Sequence, residues 1–366
     1  HKNLVWDARQ CHTIQPVDET YRFLSILPMA HTYENTLGLL LPLMFGAQVY
    51  YLDRVPTPKL LVPAMQKIRP TVVLSVPLII EKIYKSQVLP KFTSSKLMSK
   101  LYQFAPARKL FNRLAGKKLM ETFGGELKFF GIGGSKLDGT VEQFLREAKF
   151  PYAIGYGLTE TAPMAAGSNP SQTFLQGVGP VMEGVQIKIN DPDKSGQGEI
   201  WIKGPNVMKG YYKRPELTAE TFTEDGWFKT GDLGSFDKKN RLAIRGRIKT
   251  MILGASGENI YPEEIESIIN NFRFVNESLV VENSGKLVAM VHFNMEELEK
   301  QYQKLKDQAG NYKEKINDYI EEQKQELRDY VNARVNNFSK LQLVLVQHEP
   351  FEKTPTHKIK RFLYCK

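Results

Sequence analysis

Cysteine is nearly absent: the 366 residues contain only Cys11 and Cys365, at opposite ends of the chain. That excludes a disulfide framework and a CxxC pair, and it favours a reducing compartment. The six histidines show no HExxH or comparable spacing, so no zinc centre is expected. Long apolar runs are missing as well. The most apolar stretch, residues 37–47, is 11 residues long and contains Pro42, whereas a bilayer span needs about 20. Acid is missing locally: between Lys82 and Met120 there are ten Lys or Arg and no Asp or Glu, in a chain of net charge +10. Leu101, Phe104, Leu110, Phe111 and Leu114 interleave with those cations at roughly helical spacing. Residues 82–120 fit a solvated lysine-rich surface, or a face making weak contact with an anionic membrane. No base-reading motif accompanies them, so nucleic acid is not an expected partner. The expected location is cytoplasmic, with attachment to the inner face of the membrane under the second reading.

What is present is the composition of an ordinary globular protein, 42% hydrophobic and 25% charged, in a chain long enough for two or three domains. Residues 23–28, 47–52, 71–76 and 127–130 read as short buried strands, with helical periodicity at 35–45 and 59–68 between them. That alternation predicts an α/β fold with a parallel sheet, whose ligand-binding loops lie at the carboxyl ends of the strands. From residue 174 to 242 glycines are dense and strands at 186–189 and 199–203 are separated by turns, which predicts a small β-barrel-like subdomain. After Arg247, Pro262 opens a helix to Ile269, and strands follow at 278–281 and 287–293. Residues 295–335 read as a charged helical region broken near Gly310. Ten acidic and seven basic residues between Glu296 and Tyr330 favour a solvated surface helix over a catalytic one. The expected domains are thus 1–173 and 174–248, forming a large unit, and a small mobile α+β domain at 249–366.

Four short stretches carry chemistry. In Tyr156-Gly157-Leu158-Thr159-Glu160-Thr161, glycine permits close backbone approach, Thr supplies a hydroxyl and Glu a hard oxygen ligand. Taken alone, it reads as a turn leading into a capped helix. In Lys229-Thr230-Gly231-Asp232-Leu233-Gly234, an Asp on a tight glycine turn can accept two hydrogen bonds from a vicinal diol. Arg245-Gly246-Arg247-Ile248-Lys249, running on to Ser256-Gly257-Glu258-Asn259, sits where composition changes and suits a hinge. Lys353-Thr354-Pro355-Thr356-His357-Lys358 alone is a basic exposed tail.

Together, in this order, these stretches resemble the signature set of the adenylate-forming superfamily of acyl-CoA synthetases, adenylation domains and luciferase. The segments 204–212 and 225–228 add to the likeness, which covers essentially the whole chain and is closest to bacterial long-chain fatty acid-CoA ligases. It implies ATP-dependent activation of a fatty acid through an acyl-adenylate to a coenzyme A thioester, with ATP, Mg²⁺ and coenzyme A as cofactors. Thr159 would hold the α-phosphate and Glu160 the Mg²⁺. Tyr156 and Gly157 would line the adenine, with Gly133, Gly134 and Ser135 on its other side. Asp232 would bind the ribose, supported by Arg247. Lys358 would bridge carboxylate and α-phosphate, Lys249 would be the hinge, and Gly257 would line the coenzyme A tunnel. His31, in Leu27-Pro28-Met29-Ala30-His31, would line or gate the acyl pocket, or be a structural histidine.

Three departures stand out. The Ser/Thr/Gly-rich loop ending in Pro-Lys-Gly is missing, so the resemblance implies a chain beginning just after that loop, with little activity alone. His357 replaces a usual glycine, and Lys136 a common proline. An acyl-carrier-protein ligase, a peptide-synthetase adenylation domain and a non-catalytic nucleotide- or lipid-binding remnant are the alternative readings.

Overall fold

The computed structural model describes residues 1–54, 56–93, 95–254, 258–305, 312–354 and 359–364. It divides into two compact units, His1–Ile244 and Arg245–Lys366.

In the first unit β1 (Arg22–Ser25), β2 (Gln48–Tyr51), β3 (Val72–Ser75), β4 (Phe129–Ile132), β5 (Tyr152–Gly157) and β6 (Met164–Gly167) form one sheet. Its order is β2-β1-β3-β4-β5-β6. The pairings from β2 through β5 are parallel, while β6 runs antiparallel to β5. β1 to β4 are the four strands expected from the sequence. Successive side chains point to opposite faces. Phe23, Val72 and Leu74 therefore enter one core with Ala8, Cys11 and Leu37. Leu24, Val73, Phe130 and Ile132 enter another with Ile80, Phe123 and Phe144. Covering both faces is what a parallel sheet requires. Helix starts follow local chemistry: Pro58 and Pro77 open helices Pro58–Ile68 and Pro77–Ile83, and the Asp138 carboxylate accepts from the Thr140 and Val141 amides to cap Gly139–Glu147.

The helix expected at 35–45 is a π-helical run, Glu34–Leu40, continuing as α-helix Leu41–Met44. Glu34 at its start is 1% exposed. The Ser25 hydroxyl donates to its Oε1 at 2.5 Å, while Oε2 has no partner among the described residues. Burial pushes this carboxyl up to about 7, against a smaller lowering by Ser25. Tyr33 and Tyr51 are the titratable neighbours that feel its charge. The folded state thus holds a proton that the unfolded chain releases near the ordinary Glu value. Stability from this group is complete below that value and is lost as pH rises through about 7. Glu34→Gln is expected to remove this component, which is worth about 3 kcal/mol. Melting curves from pH 4 to pH 8 check it: the difference between variant and parent should move in the variant's favour as pH rises.

β7 (Gln186–Asn190), β8 (Gly198–Lys203), β9 (Phe228–Phe236) and β10 (Leu242–Arg247) form the second sheet, in the order β10-β9-β8-β7. Isolated bridges, Ala166 to Val181 and Gly179 to Leu242, extend β6 and β10. Ile200, Ile202, Phe228 and Leu242 share one buried cluster with Ala165, Ala166 and Val178 of the first sheet region.

In the second unit the hairpin β11 (Ile252–Leu253) and β12 (Asn259–Ile260) precedes helix Pro262–Ile269. β13 (Val275–Asn283) pairs antiparallel with β14 (Lys286–Phe293), and β15 (Leu343–Val346) lies parallel to β14. The charged region contains two helices, Met295–Leu305 and Tyr312–Asn332, with residues 306–311 outside the described set. The second is not solvated all round: Gln323, Leu327 and Val331, spaced by four, are buried. That stripe packs its helix into the unit's core.

Candidate active site

The motifs of the first unit converge near the carboxyl ends of its parallel strands, where open α/β sheets generally bind their ligands. Gly133, Gly134 and Ser135 follow directly on β4, and the Gly133 amide donates to Ser75 O at the end of β3 (3.1 Å). Gly133 is buried against the Tyr33 ring, while Gly134 and Ser135 are exposed. Tyr156 and Gly157 end the neighbouring β5. The expected capped helix after them is absent. β5 passes into a single 3-10 turn, Thr159–Thr161, because the Thr161 hydroxyl bonds back to Leu158 O and Pro163 O, and the Leu158 amide donates to that hydroxyl (2.9 Å). A side chain satisfying backbone groups on both sides closes the turn before a helix can propagate.

Asp232 is also placed differently from the sequence expectation. It lies within β9 rather than on a turn between strands. Thr230, Gly231 and Asp232 bulge out opposite Ile200, with Gly231 in the left-handed region at φ 69°, as an inserted residue in a β-ladder needs. The Thr230 hydroxyl donates to Ile200 O (2.7 Å) and accepts from the Asp232 amide (3.0 Å). The Gly231 amide donates to Glu199 Oε1 (3.0 Å). So anchored, Asp232 receives the Tyr156 hydroxyl on Oδ2 at 2.9 Å, both residues being buried.

Glu160 is half-buried, and its Oε1 accepts from the Tyr211 hydroxyl at 2.8 Å. Burial, then the hydrogen bond to Glu160 and its charge, push the Tyr211 hydroxyl up to about 12, which keeps it a donor at neutral pH. Thr159 is exposed and shares a hydrogen bond of 3.3 Å with Thr32. The Thr36 hydroxyl donates to Ala162 O (3.0 Å), so the segment after β1 is pinned to the turn after β5. The half-buried His31 lies in that segment and accepts the Tyr33 amide on Nδ1 at 3.2 Å, which places the proton of a neutral ring on Nε2.

Tyr156 and Asp232 are thus brought into contact, as are Glu160 with Tyr211 and Thr159 with Thr32. Arg247 and Lys249 belong to the second unit, the first at the end of β10 and the second in the turn Ile248–Thr250, both exposed. Gly257 and Lys358 lie outside the described residues. Tyr211, Thr32, Tyr33 and Glu34 were not expected from the sequence. Tyr211 lies in the family-like segment 204–212, but its partner is 51 residues away, so no local pattern announces the contact.

The donor set suits Mg²⁺ held together with phosphate. Among the described residues no three His, Cys, Asp or Glu gather as a protein-only metal cage. Mg²⁺ commonly takes one or two carboxylates and completes its shell with water and phosphate oxygens. Glu160 fits, since Tyr211 fixes one oxygen and Oε2 accepts nothing among the described residues.

Residues 1–212 match the family described as AMP-binding enzyme. The long-chain-fatty-acid–CoA ligase heimdall of Drosophila melanogaster is 32% identical over 74% of this chain and 43% of its own length. Long-chain-fatty-acid–CoA ligase 1 of Saccharomyces cerevisiae is 30% identical over 78% of this chain and 44% of its own length. The peroxisomal long chain acyl-CoA synthetase 6 of Arabidopsis thaliana is 30% identical over 93% and 52%. The chain therefore spans about half the length of the relatives it matches. Among solved structures, an ATP-bound RpMatB–BxBclM chimera superposes with a TM-score of 0.74 at 23% identity, covering 99% of this chain and 63% of that one. The o-succinylbenzoate CoA synthetase MenE of Bacillus subtilis, in complex with its acyl-adenylate intermediate, gives 0.72 at 22%, covering 99% and 64%. The structural likeness establishes an acyl-CoA synthetase-like fold. With more than half its length matched by the family, the chain belongs to the AMP-binding enzymes.

Proposed function

We propose that this chain is the adenylate-binding part of a ligase that activates a long-chain fatty acid with ATP and passes the acyl group to coenzyme A. The observation that carries the reading is the buried Tyr156–Asp232 hydrogen bond, which joins two motifs 76 residues apart. The names of the relatives, all long-chain ligases or synthetases, supply the substrate class.

In the first half-reaction a carboxylate oxygen bonds to the α-phosphorus and the bond to pyrophosphate breaks. In the second, the thiol sulfur bonds to the acyl carbonyl, the proton leaves to solvent, and AMP departs. Bringing a carboxylate to a polyanion is an electrostatic problem, so positioning and local positive charge set the rate. Thr159, steadied by Thr32, would donate to the α-phosphate, and Asp232 would accept from the ribose hydroxyls with its second proton donor, Tyr156, already in place. Glu160 would hold Mg²⁺, which when bound neutralises phosphate charge. Lys358 would bridge the two reacting anions, with Arg247 supporting the ribose contact. By the family resemblance, Lys249 would be the hinge and Gly257 would line the coenzyme A tunnel. His31 would border the acyl chain.

Calorimetric titration with a non-hydrolysable long-chain acyl-adenylate analogue tests this reading, because that ligand needs base, ribose, α-phosphate and acyl contacts together. Binding at micromolar concentration or tighter is expected, and a short-chain analogue should bind at least about tenfold more weakly from lost methylene burial. Equal affinity for both would remove the long-chain assignment, and no heat with either would remove the adenylate site.

A further inference from the structure

Helix Ala105–Thr122 buries Leu119, with Phe111, Ala115 and Met120, against the core of the first unit, yet it is apolar on its outer face as well. A polar network also anchors it: Arg108 pairs with Glu147 (2.9 Å), the Asn112 amide donates to Glu147 Oε2 (2.8 Å), and the Tyr102 hydroxyl donates to Asn112 Oδ1 (2.8 Å). Its outer face carries Leu110 and Leu114, each 57% exposed. The preceding helix, Lys96–Gln103, continues the pattern with Leu97 (76% exposed), Leu101 (41%) and, just after its end, Phe104 (62%). Positions 97, 101 and 104, and likewise 110 and 114, recur at helical spacing, so each set shares a face.

The cations lie on the same surface. Lys100, Lys109, Arg113, Lys117 and Lys118 are exposed, and none forms an ion pair among the described residues. At positions 109–110 and 113–114 a cation and a leucine are adjacent. Such a surface lets each apolar side chain enter the acyl boundary while a flexible cationic head reaches up to the phosphates. Four of the five cations are lysines, which protein–protein interface cores deplete. No described helix is long and apolar enough to cross a membrane, so contact through this face is interfacial.

We propose that the outer face of helices Lys96–Gln103 and Ala105–Thr122 docks on an anionic phospholipid surface. This surface is separate from the adenylate site, and the proposal does not rest on the ligase reading. It would place the protein at the layer where fatty acids partition.

Co-sedimentation of the protein with vesicles of phosphatidylcholine containing one-third phosphatidylserine, and with phosphatidylcholine alone, tests it. Binding to the anionic vesicles is expected, falling at least about tenfold between low and high salt as the surface charge is screened. Lys117→Glu with Lys118→Glu should weaken it about tenfold or more. Leu110→Ser with Leu114→Ser should weaken it to a similar degree at unchanged charge. All of these positions are exposed, so melting temperatures should match the parent, and acyl-adenylate affinity should be retained by both variants. No binding to anionic vesicles at low salt overturns the proposal, as does equal binding to both vesicle types. Self-association that the leucine variant abolishes, without vesicle binding, would assign the face to a second copy of the chain and equally overturn it.

Discussion

Asp232→Ala is expected to weaken binding of a long-chain acyl-adenylate analogue by about 100-fold or more. A carboxylate accepting from two ribose hydroxyls makes two hydrogen bonds to a charged group, each worth about 1.5–3 kcal/mol, and every 1.4 kcal/mol is about a factor of ten. The loss has a second component. The Tyr156 hydroxyl donates to Asp232 in a buried setting, and losing that partner costs stability of about 1–3 kcal/mol. Tyr156→Phe separates the two effects, since it keeps the carboxylate and removes only the internal bond. Calorimetry should show that Tyr156→Phe retains most of the affinity while Asp232→Ala does not. If both variants lose affinity equally, Asp232 acts by shaping the bulge at residues 230–232 rather than by touching the ligand.

Gly157→Ala is expected to be the most destabilising single methyl addition at the site. A Cβ at Gly157 would lie 1.7 Å from Pro163 O and 2.6 Å from Pro163 C. Both are backbone atoms, so no side-chain rotation relieves the overlap. The Leu158 amide also donates to that carbonyl (3.1 Å), and the Thr161 hydroxyl bonds to it as well. Moving Pro163 therefore breaks the short turn that presents Thr159 and Glu160. Overpacking usually costs about 1–3 kcal/mol; with a backbone obstacle, a loss above about 3 kcal/mol is expected in urea unfolding, together with loss of analogue binding. Gly133→Ala is a suitable contrast. There the added carbon would meet the Tyr33 ring at 3.3 Å, and a small shift of that ring accommodates it. Near-parental stability for Gly157→Ala would mean that β5 and β6 are not held against each other as described.

The alternation of buried strands and helices in residues 22–132 was legible because parallel strands covered on both faces must be apolar almost throughout, and β1 to β4 are. The helix at Pro262–Ile269 was legible for a local reason too, since its proline and two glutamates sit in the first turn. The order of the four motifs was likewise enough to indicate the family. Side-chain bonds between distant residues were not legible. Thr161 stops a helix that the local sequence permits, because its hydroxyl is shared by backbone groups from both directions. Gly231 makes a bulge rather than a turn because β8 lies alongside to pair with. The partnerships of Tyr156 with Asp232 and of Glu160 with Tyr211 span 76 and 51 residues. Periodicity reports which face of an element is buried; it carries no information on what waits on that face. Composition and spacing alone thus determined that this chain is an α/β protein, while the adenylate reading of its motifs came from their resemblance to a family. Tertiary structure decided which of those residues meet, which carboxylates are buried with an oxygen left over, and which leucines face outward among lysines, since each depends on elements packed together from remote parts of the chain.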